Sequence, residues 1–107
     1  MKLIYAIVNN DDTYAVSKGL SAEGIRATKL ATTGGFLMKG NTTYLICCED
    51  SGVDKVIEIC KQYCKKRKQT VSASSVMGWA ADPASTMEVT IGGATIFVTD
   101  IERFEQV

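Results

Sequence analysis

The chain has 107 residues, with 12 Lys and Arg balancing 12 Asp and Glu, so its net charge offers no attraction for nucleic acid or an anionic membrane surface. It contains no histidine, which excludes histidine-dependent catalytic triads and metal sites built on imidazole. The length is typical of one domain, residues 1–107, with one modest core.

The first ten residues, MKLIYAIVNN, predict a buried strand. The apolar run at 3–8 is too short for a signal peptide and far below the ~20 residues that span a bilayer, so we expect a cytoplasmic protein without a membrane segment. A strand that is apolar at nearly every position is typical of one covered on both faces. This strand therefore needs neighbours above and below it.

The next stretch predicts a helix over 12–23. Residues 10–12, NDD, can cap it, and Val16 and Leu20 begin an apolar stripe at helical spacing. Gly24 then provides a typical helix end.

Two strands joined by a short loop follow this helix. Alternation over 25–32 predicts the first of them, with Arg26 and Thr28 on one face. The loop covers about 33–41, and the run at 42–48 predicts the next strand because few charges lie on either of its faces.

Ser51 followed by Asp54 resembles a capping box and predicts the start of a second helix. Apolar residues then recur on one helical face, namely Val53, Val56, Ile57, Cys60 and Cys64. The helix is expected to close in a basic cluster, KKRK at 65–68, which either complements the helix C-terminus or contacts phosphate.

The four cysteines are interpreted as reduced, buried structural thiols. Cys47 and Cys48 are adjacent and point to opposite faces of a strand, whereas Cys60 and Cys64 share one helix face. A four-thiolate metal site is the alternative, but the CxxC spacing typical of such sites is missing.

A long flexible loop is predicted over about 68–86, because this stretch has no sustained period and consists mostly of small and polar residues. Alternation at 87–91 stops at a Gly-Gly pair and resumes at 94–99, which predicts one last strand with a glycine break. Asp100 is placed to cap a final turn over 101–104.

The predicted order, β-α-β-loop-β-α-long loop-β, is a duplicated βαβ unit. It indicates an α+β, ferredoxin-like fold (βαββαβ), with both helices on one face of an antiparallel sheet. The other face cannot stay in water, because the first strand carries Tyr5 and Ile7 as well as a second set of apolar residues. We therefore expect a closed homo-oligomer, with a homotrimer as the favoured geometry.

The loop sequence TTGGFLMKGN at 32–41 lacks the endings of phosphate-binding P-loops and of dinucleotide fingerprints. What remains is Gly34-Gly35, whose backbone amides can approach a polar or anionic ligand closely. Phe36 follows, with a ring that can stack on a planar base. This combination suits a nucleotide.

Side chains beside the loop fit the same ligand. Arg26 and Thr28 can supply a charge and a hydroxyl, and Asn41 can read a base edge. The alternative stays open that the glycines only form a turn, that Phe36 and Leu37 pack on a neighbouring subunit, and that Arg26 pairs with a carboxylate.

The stretch RATKLATTGGFLMKGNTTYLI at 26–46, with GGATIFV at 92–98 and ERFEQ at 102–106, closely resembles the PII-like signal-transduction proteins of Gram-positive bacteria that act as cyclic di-AMP receptors. The similarity extends over essentially the whole chain. It implies a ferredoxin-like homotrimer that holds one cyclic di-AMP in each cleft between subunits. It also implies a short loop after the second strand and a long loop before the fourth, which agrees with the spacing here.

Carried over position by position, the resemblance implies ligand contacts at Arg26, Thr28, Gly35, Phe36, Leu37, Asn41, Gly93, Phe97 and Gln106. Two departures bear on these contacts. Members of the family usually carry glycine at the position of Cys47, so Cys47 is also expected at the site, where its side chain would crowd the ligand if it pointed inward. Relatives can carry asparagine at the position of Gly24, and any contact from that side chain is lost here.

The resemblance implies a receptor rather than an enzyme, with cyclic di-AMP as ligand and no cofactor or metal. Ligand binding is expected to change the conformation of the loops and to regulate an unknown downstream protein. The alternative is a trimeric metal-binding protein of the same topology, like the cation-tolerance proteins, which needs thiolates or carboxylates converging at the subunit interface. An enzyme acting on a nucleotide needs an acid or base near Phe36, and the stretch 26–46 contains no carboxylate.

Overall fold

The computed structural model describes residues 1–31, 40–72 and 85–107. Within these ranges the chain forms six strands and two α-helices, with short 3-10 turns at Asn10–Asp12 and Asp50–Gly52. In chain order these elements are β1 (Lys2–Asn9), α1 (Thr13–Ala22), β2 (Thr28–Ala31), β3 (Asn41–Cys48), α2 (Val53–Tyr63), β4 (Arg67–Ser72), β5 (Thr86–Ile91) and β6 (Ala94–Asp100).

Four strands form an antiparallel sheet in the order β2-β3-β1-β6, with β1 and β3 in the centre. This mixed α/β arrangement is consistent with a ferredoxin-like fold. The predicted first strand, both predicted helices and the predicted strand at 42–48 are confirmed within a few residues. Of the stretch predicted as a strand at 25–32, the described strand occupies Thr28–Ala31.

Both helices pack on one face of this sheet, which we call the core face. The side chains of Ile4, Ala6 and Val8 alternate along β1 and are at most 1% exposed. They meet the apolar stripes of α1 and α2, whose buried residues include Val16, Leu20, Val56, Ile59 and Cys60. Removing this apolar surface from water is the main force that holds the helices on the sheet.

Strands β4 and β5 form a separate two-stranded ribbon. The prediction of a long loop over 68–86 is therefore wrong for residues 68–72, which belong to β4. Pairing with β5 satisfies the backbone of this segment, although its own sequence has no clear strand pattern. The predicted loop residues 73–84 lie outside the described ranges, and so do residues 32–39 of the predicted short loop.

The glycine break at 92–93 separates two strands that belong to different sheets, whereas one interrupted strand was expected. Gly92 and Gly93 both have positive φ, 87° and 74°, a conformation that turns the chain sharply. β5 ends in the ribbon before this turn, and β6 begins after it at the edge of the main sheet.

The basic cluster and the C-terminal turn also differ from their predictions. The second helix ends at Tyr63, so the cluster at 65–68 does not close it, and Arg67 begins β4. The region 101–104 contains a bend instead of a helical turn, because the chain continues beside β1 and the Ile101 amide donates to the Met1 carbonyl at 3.2 Å. Neither described helix has the length and apolar character needed to cross a bilayer.

Candidate functional site

The sheet face opposite the helices, called the open face here, carries the second set of side chains from each strand. Cross-strand pairing arranges them in rows that run across the sheet. From one end of the sheet to the other these rows are Asn41 and Asn9; Leu30, Thr43, Ile7 and Thr95; Thr28, Leu45, Tyr5 and Phe97; and Cys47, Leu3 and Thr99. We call the end marked by Asn9 and Asn41 the loop end, because β2 leaves the sheet and both β3 and β6 enter it there.

Apolar side chains dominate the middle of the open face. Tyr5 is 36% exposed, Leu30 45% and Phe97 55% in the single chain. Tyr5 and Phe97 lie directly opposite each other on neighbouring strands, so their rings form a joint aromatic surface. An apolar patch of this kind in the middle of a sheet is typical of a surface that another molecule covers.

Thr28 and Phe97, both predicted ligand contacts, lie in the same row but at opposite edges of the sheet. Three strand spacings of about 4.8 Å separate β2 from β6, so these two positions are about 14 Å apart. Leu45 and Tyr5 lie between them.

Asn41 lies at the loop end, exposed and opposite Asn9. The Asn9 side-chain oxygen accepts a hydrogen bond from the Asp11 amide at 2.8 Å, which commits Asn9 to the turn before α1. Asn41 begins β3 at this end of the open face.

Cys47 is exposed on the open face, opposite Leu3. The prediction that all four thiols are buried is therefore wrong for Cys47, because strand alternation directs it away from the helices. Cys48 is half-buried, and burial raises the pKa of its thiol. A thiol therefore occupies this position of the open face.

The other two cysteines are buried, as expected. Cys60 and Cys64 share a hydrogen bond, which lowers the pKa of the Cys60 thiol and raises that of Cys64. They also line a surface pocket of about 330 Å³ beside Lys61 and Ile96. Across residues 1–31, 40–72 and 85–107, no three His, Cys, Asp or Glu side chains come together as a metal site.

The remaining predicted contacts are distributed around the sheet. Arg26 is exposed in the irregular segment before β2, and Gln106 is exposed in the C-terminal segment beyond β6. Gly93 lies at the loop end, immediately before β6. Gly35, Phe36 and Leu37 fall in the part of the chain that the structure does not describe.

The sequence did not reveal that Tyr5 stands next to Phe97. Alternation along the first strand indicates that Tyr5 faces away from the helices, but only the register of β1 with β6 identifies its neighbour. The aromatic surface is therefore larger than the predicted set of contacts suggested.

The chain as a whole is similar to known proteins in sequence and in fold. The family model described as cyclic-di-AMP receptor matches residues 1–107, the whole chain. A solved structure, described as "The crystal structure of a functionally unknown protein from Pediococcus pentosaceus ATCC 25745", is 37% identical in sequence and superposes with a TM-score of 0.73. That match covers 99% of this chain and 96% of the other.

Proposed function

The chain belongs to the cyclic-di-AMP receptor family, and on this premise we propose that it is a non-enzymatic, PII-like signal-transduction protein that binds cyclic di-AMP in clefts between the subunits of a homotrimer. The observation that carries the proposal is that a whole-chain match to this family coincides with an open sheet face that carries Thr28, Cys47 and Phe97. The family's ligand is cyclic di-AMP, which acts as a signal rather than as a cofactor.

The apolar character of the open face supports the proposed trimer. Copies that bring these faces together remove Tyr5, Leu30 and Phe97 from water. The same association places β2 of one copy near β6 of another, which supplies Thr28 and Phe97 to one cleft from two chains. The ligand site is then incomplete in a single chain.

Within the cleft, each residue has a role that suits its chemistry. Phe36 stacks on adenine and Asn41 hydrogen-bonds to its edge, while Leu37 adds apolar contact. Arg26 and the Gly35 amide face the phosphates. From the neighbouring copy, Gly93, Phe97 and Gln106 close the cleft.

Signalling requires that the ligand distinguish two states of the protein. In this proposal cyclic di-AMP has a higher affinity for one arrangement of the two predicted loops, about 33–41 and the remainder of 68–86, and so shifts the population towards it. A downstream protein then recognises the surface that this arrangement presents.

Isothermal titration with cyclic di-AMP, with cyclic di-GMP and ATP as comparison ligands, tests the proposal. Arg26→Ala and Asn41→Ala should each lose about 2 kcal/mol of binding free energy, roughly a thirtyfold weaker affinity. Arg103→Ala is the matched control, because the Arg103 guanidinium is exposed and, among the described residues, pairs with nearby Glu105. If cyclic di-AMP gives no binding heat, the proposed function is wrong, and if both variants bind like the parent, the site is wrong.

Two further measurements address the rival functions. Metal analysis of protein purified without chelator tests the trimeric metal-binding alternative, which predicts a stoichiometric metal and indifference to cyclic di-AMP. Chromatography of the ligand after incubation tests for catalysis, and recovery of unchanged cyclic di-AMP is the expected result.

A further inference from the structure

The basic cluster that follows α2 divides into paired and unpaired cations. Arg67 pairs with Asp12, and the Lys68 ammonium lies 3.3 Å from the Glu88 carboxylate. Lys66 is exposed and has no ion pair with any residue in the described ranges. Its charge is therefore not used to hold the fold together.

The side chain of Lys66 lies along Gly93. A Cβ added to Gly93 would stand 3.2 Å from Cγ and 3.3 Å from Cε of Lys66. Because the ammonium nitrogen is one bond of about 1.5 Å beyond Cε, it lies within about 5 Å of the same point. The absence of a side chain at Gly93 thus leaves room for the Lys66 stem and keeps a free cation beside this glycine.

Gly93 and Arg26 are near opposite ends of the sheet. Ala94 pairs with Val8, so Gly93 lies at the loop end. Thr28 pairs with Leu45, so Arg26, two residues earlier, lies towards the end marked by Cys47. At about 3.4 Å per residue along β3, roughly 20 Å separate the two levels, so in the proposed trimer each cleft takes Arg26 from one chain and Gly93 with Lys66 from its neighbour.

Cyclic di-AMP carries two phosphodiester groups, each with one negative charge. A chain with balanced charges has no general positive field to attract them, so each phosphate needs a local donor. We infer that the Lys66 ammonium binds a phosphate of the ligand in the cleft that Gly93 borders, as a second cation in addition to Arg26. This inference rests on the proposed function, because it requires the ligand to lie in that cleft.

The test compares Lys66→Met with Lys65→Met by isothermal titration with cyclic di-AMP at low and at physiological salt. Methionine keeps an unbranched stem against Gly93 but removes the charge, and Lys65 is an exposed lysine one residue away that carries the same charge. Lys66→Met should weaken binding about tenfold at low salt and less at physiological salt, since ions screen an exposed contact. Lys65→Met should stay within about twofold, and Lys66→Arg should retain affinity.

The outcomes separate this inference from the proposed function. Absence of binding by the parent chain overturns both. Binding by the parent that Lys66→Met leaves unchanged overturns the role of Lys66 alone. Equal losses in Lys66→Met and Lys65→Met also overturn it, because they indicate a general charge effect rather than a contact beside Gly93. A thermal unfolding midpoint equal to that of the parent confirms that the variants are folded.

Discussion

Asp12 and Arg67 form an ion pair through two contacts, with Nη2 of Arg67 2.9 Å from Oδ1 of Asp12 and Nη1 3.3 Å from Oδ2. The Asp12 side chain is only 8% exposed, and Nη1 also donates to the Lys65 carbonyl at 3.1 Å. This arrangement ties the base of the β4–β5 ribbon to the turn that precedes α1. A two-stranded ribbon is marginally stable alone, so such an attachment matters for its position.

Removing the guanidinium should therefore destabilise the protein. Arg67→Met leaves the buried Asp12 carboxylate without its cation and should lower the free energy of unfolding by more than the loss of an exposed surface pair, though by less than the loss of a fully buried pair. Lys68→Met removes the cation of an exposed pair with Glu88 and should cost less than about 0.5 kcal/mol. Urea unfolding of both variants provides the measurement. Similar costs for the two would show that the Asp12 contact is no stronger than an ordinary surface pair.

Gly92 is expected to tolerate no side chain. A Cβ at Gly92 would collide with the Lys65 carbonyl oxygen and lie 2.8 Å from Nη1 of Arg67, in addition to the strain of its positive φ. Gly24 is a matched control, since its φ is +70° but no atom lies within 4 Å of an added Cβ. Thermal or urea unfolding should show a loss of about 1 kcal/mol for Gly24→Ala and at least about twice that for Gly92→Ala. Equal losses would mean that the neighbouring backbone moves away without cost.

Tyr44 gives a prediction for the pH dependence of stability. Its hydroxyl bonds to Ser17 Oγ at 2.6 Å and donates to the Thr13 carbonyl at 3.0 Å, and burial raises the pKa of Tyr44 above its usual value. Tyr44→Phe should therefore cost about 1 kcal/mol at neutral pH, because it removes the hydrogen bonds to two partly buried groups.

The free-energy cost of Tyr44→Phe should be smaller at alkaline pH. A pKa raised by folding means that the stabilising contribution is complete below the unfolded value, about pH 10, and is lost as the pH rises through the folded value. The difference in unfolding free energy between parent and Tyr44→Phe should hold up to about pH 10 and be smaller at about pH 11 than at about pH 8. Tyr14→Phe, at a tyrosine that is 79% exposed, should show almost no difference at either pH. A constant difference for Tyr44 would argue against this linkage.

The proposed trimer predicts that a charge on the open face prevents assembly. Tyr5→Lys places an ammonium in the middle of that face, where burial in an interface would be costly. Tyr14→Lys introduces the same change on α1, at an exposed position away from the sheet. Light scattering should report a monomer for the first variant and a trimer for the second and for the parent. A trimeric Tyr5→Lys protein would place the interface elsewhere.

Cys47 should limit the affinity for cyclic di-AMP. Its side chain is exposed on the open face, so Cys47→Gly removes bulk from the proposed cleft and should tighten binding by about fivefold, equivalent to about 1 kcal/mol. Cys47→Val adds bulk at the same place and should weaken binding. Titration of both variants gives the comparison, and affinities that do not depend on the size of this side chain would place Cys47 outside the cleft.

Local patterns in the sequence were sufficient for several elements. The helical spacing of Val16 and Leu20 predicted α1, and the near-continuous apolar run at 3–8 predicted β1 with its demand for two covered faces. The positions of α1 and β1 are confirmed because the period of apolar residues depends only on the local conformation, whereas a cover for the second face of β1 stays a prediction. The ribbon was not predicted, because local periodicity does not identify 67–72 as a strand. This segment forms a strand through its pairing with β5.

The candidate site was likewise predicted in part from the sequence, while the structure supplied the rest. Thr28, Cys47 and Phe97 were chosen from a sequence resemblance, and the family match confirms that resemblance while leaving the individual contacts to experiment. The period of two in each strand predicts that these three residues share a face. It does not predict how far apart they lie on that face. Only the strand order shows that Thr28 and Phe97 lie at opposite edges, which is why the proposed cleft takes them from two chains.

By itself, the sequence determined which residues of each helix and central strand turn towards a core, and which family the chain resembles. Tertiary structure alone decided that the two halves of 87–99 enter different sheets, that Arg67 reaches Asp12, and that Lys66 lies on Gly93. The physical reason is that side-chain period is a local property of the backbone, whereas register, strand order and ion pairing depend on contacts between residues far apart in the chain.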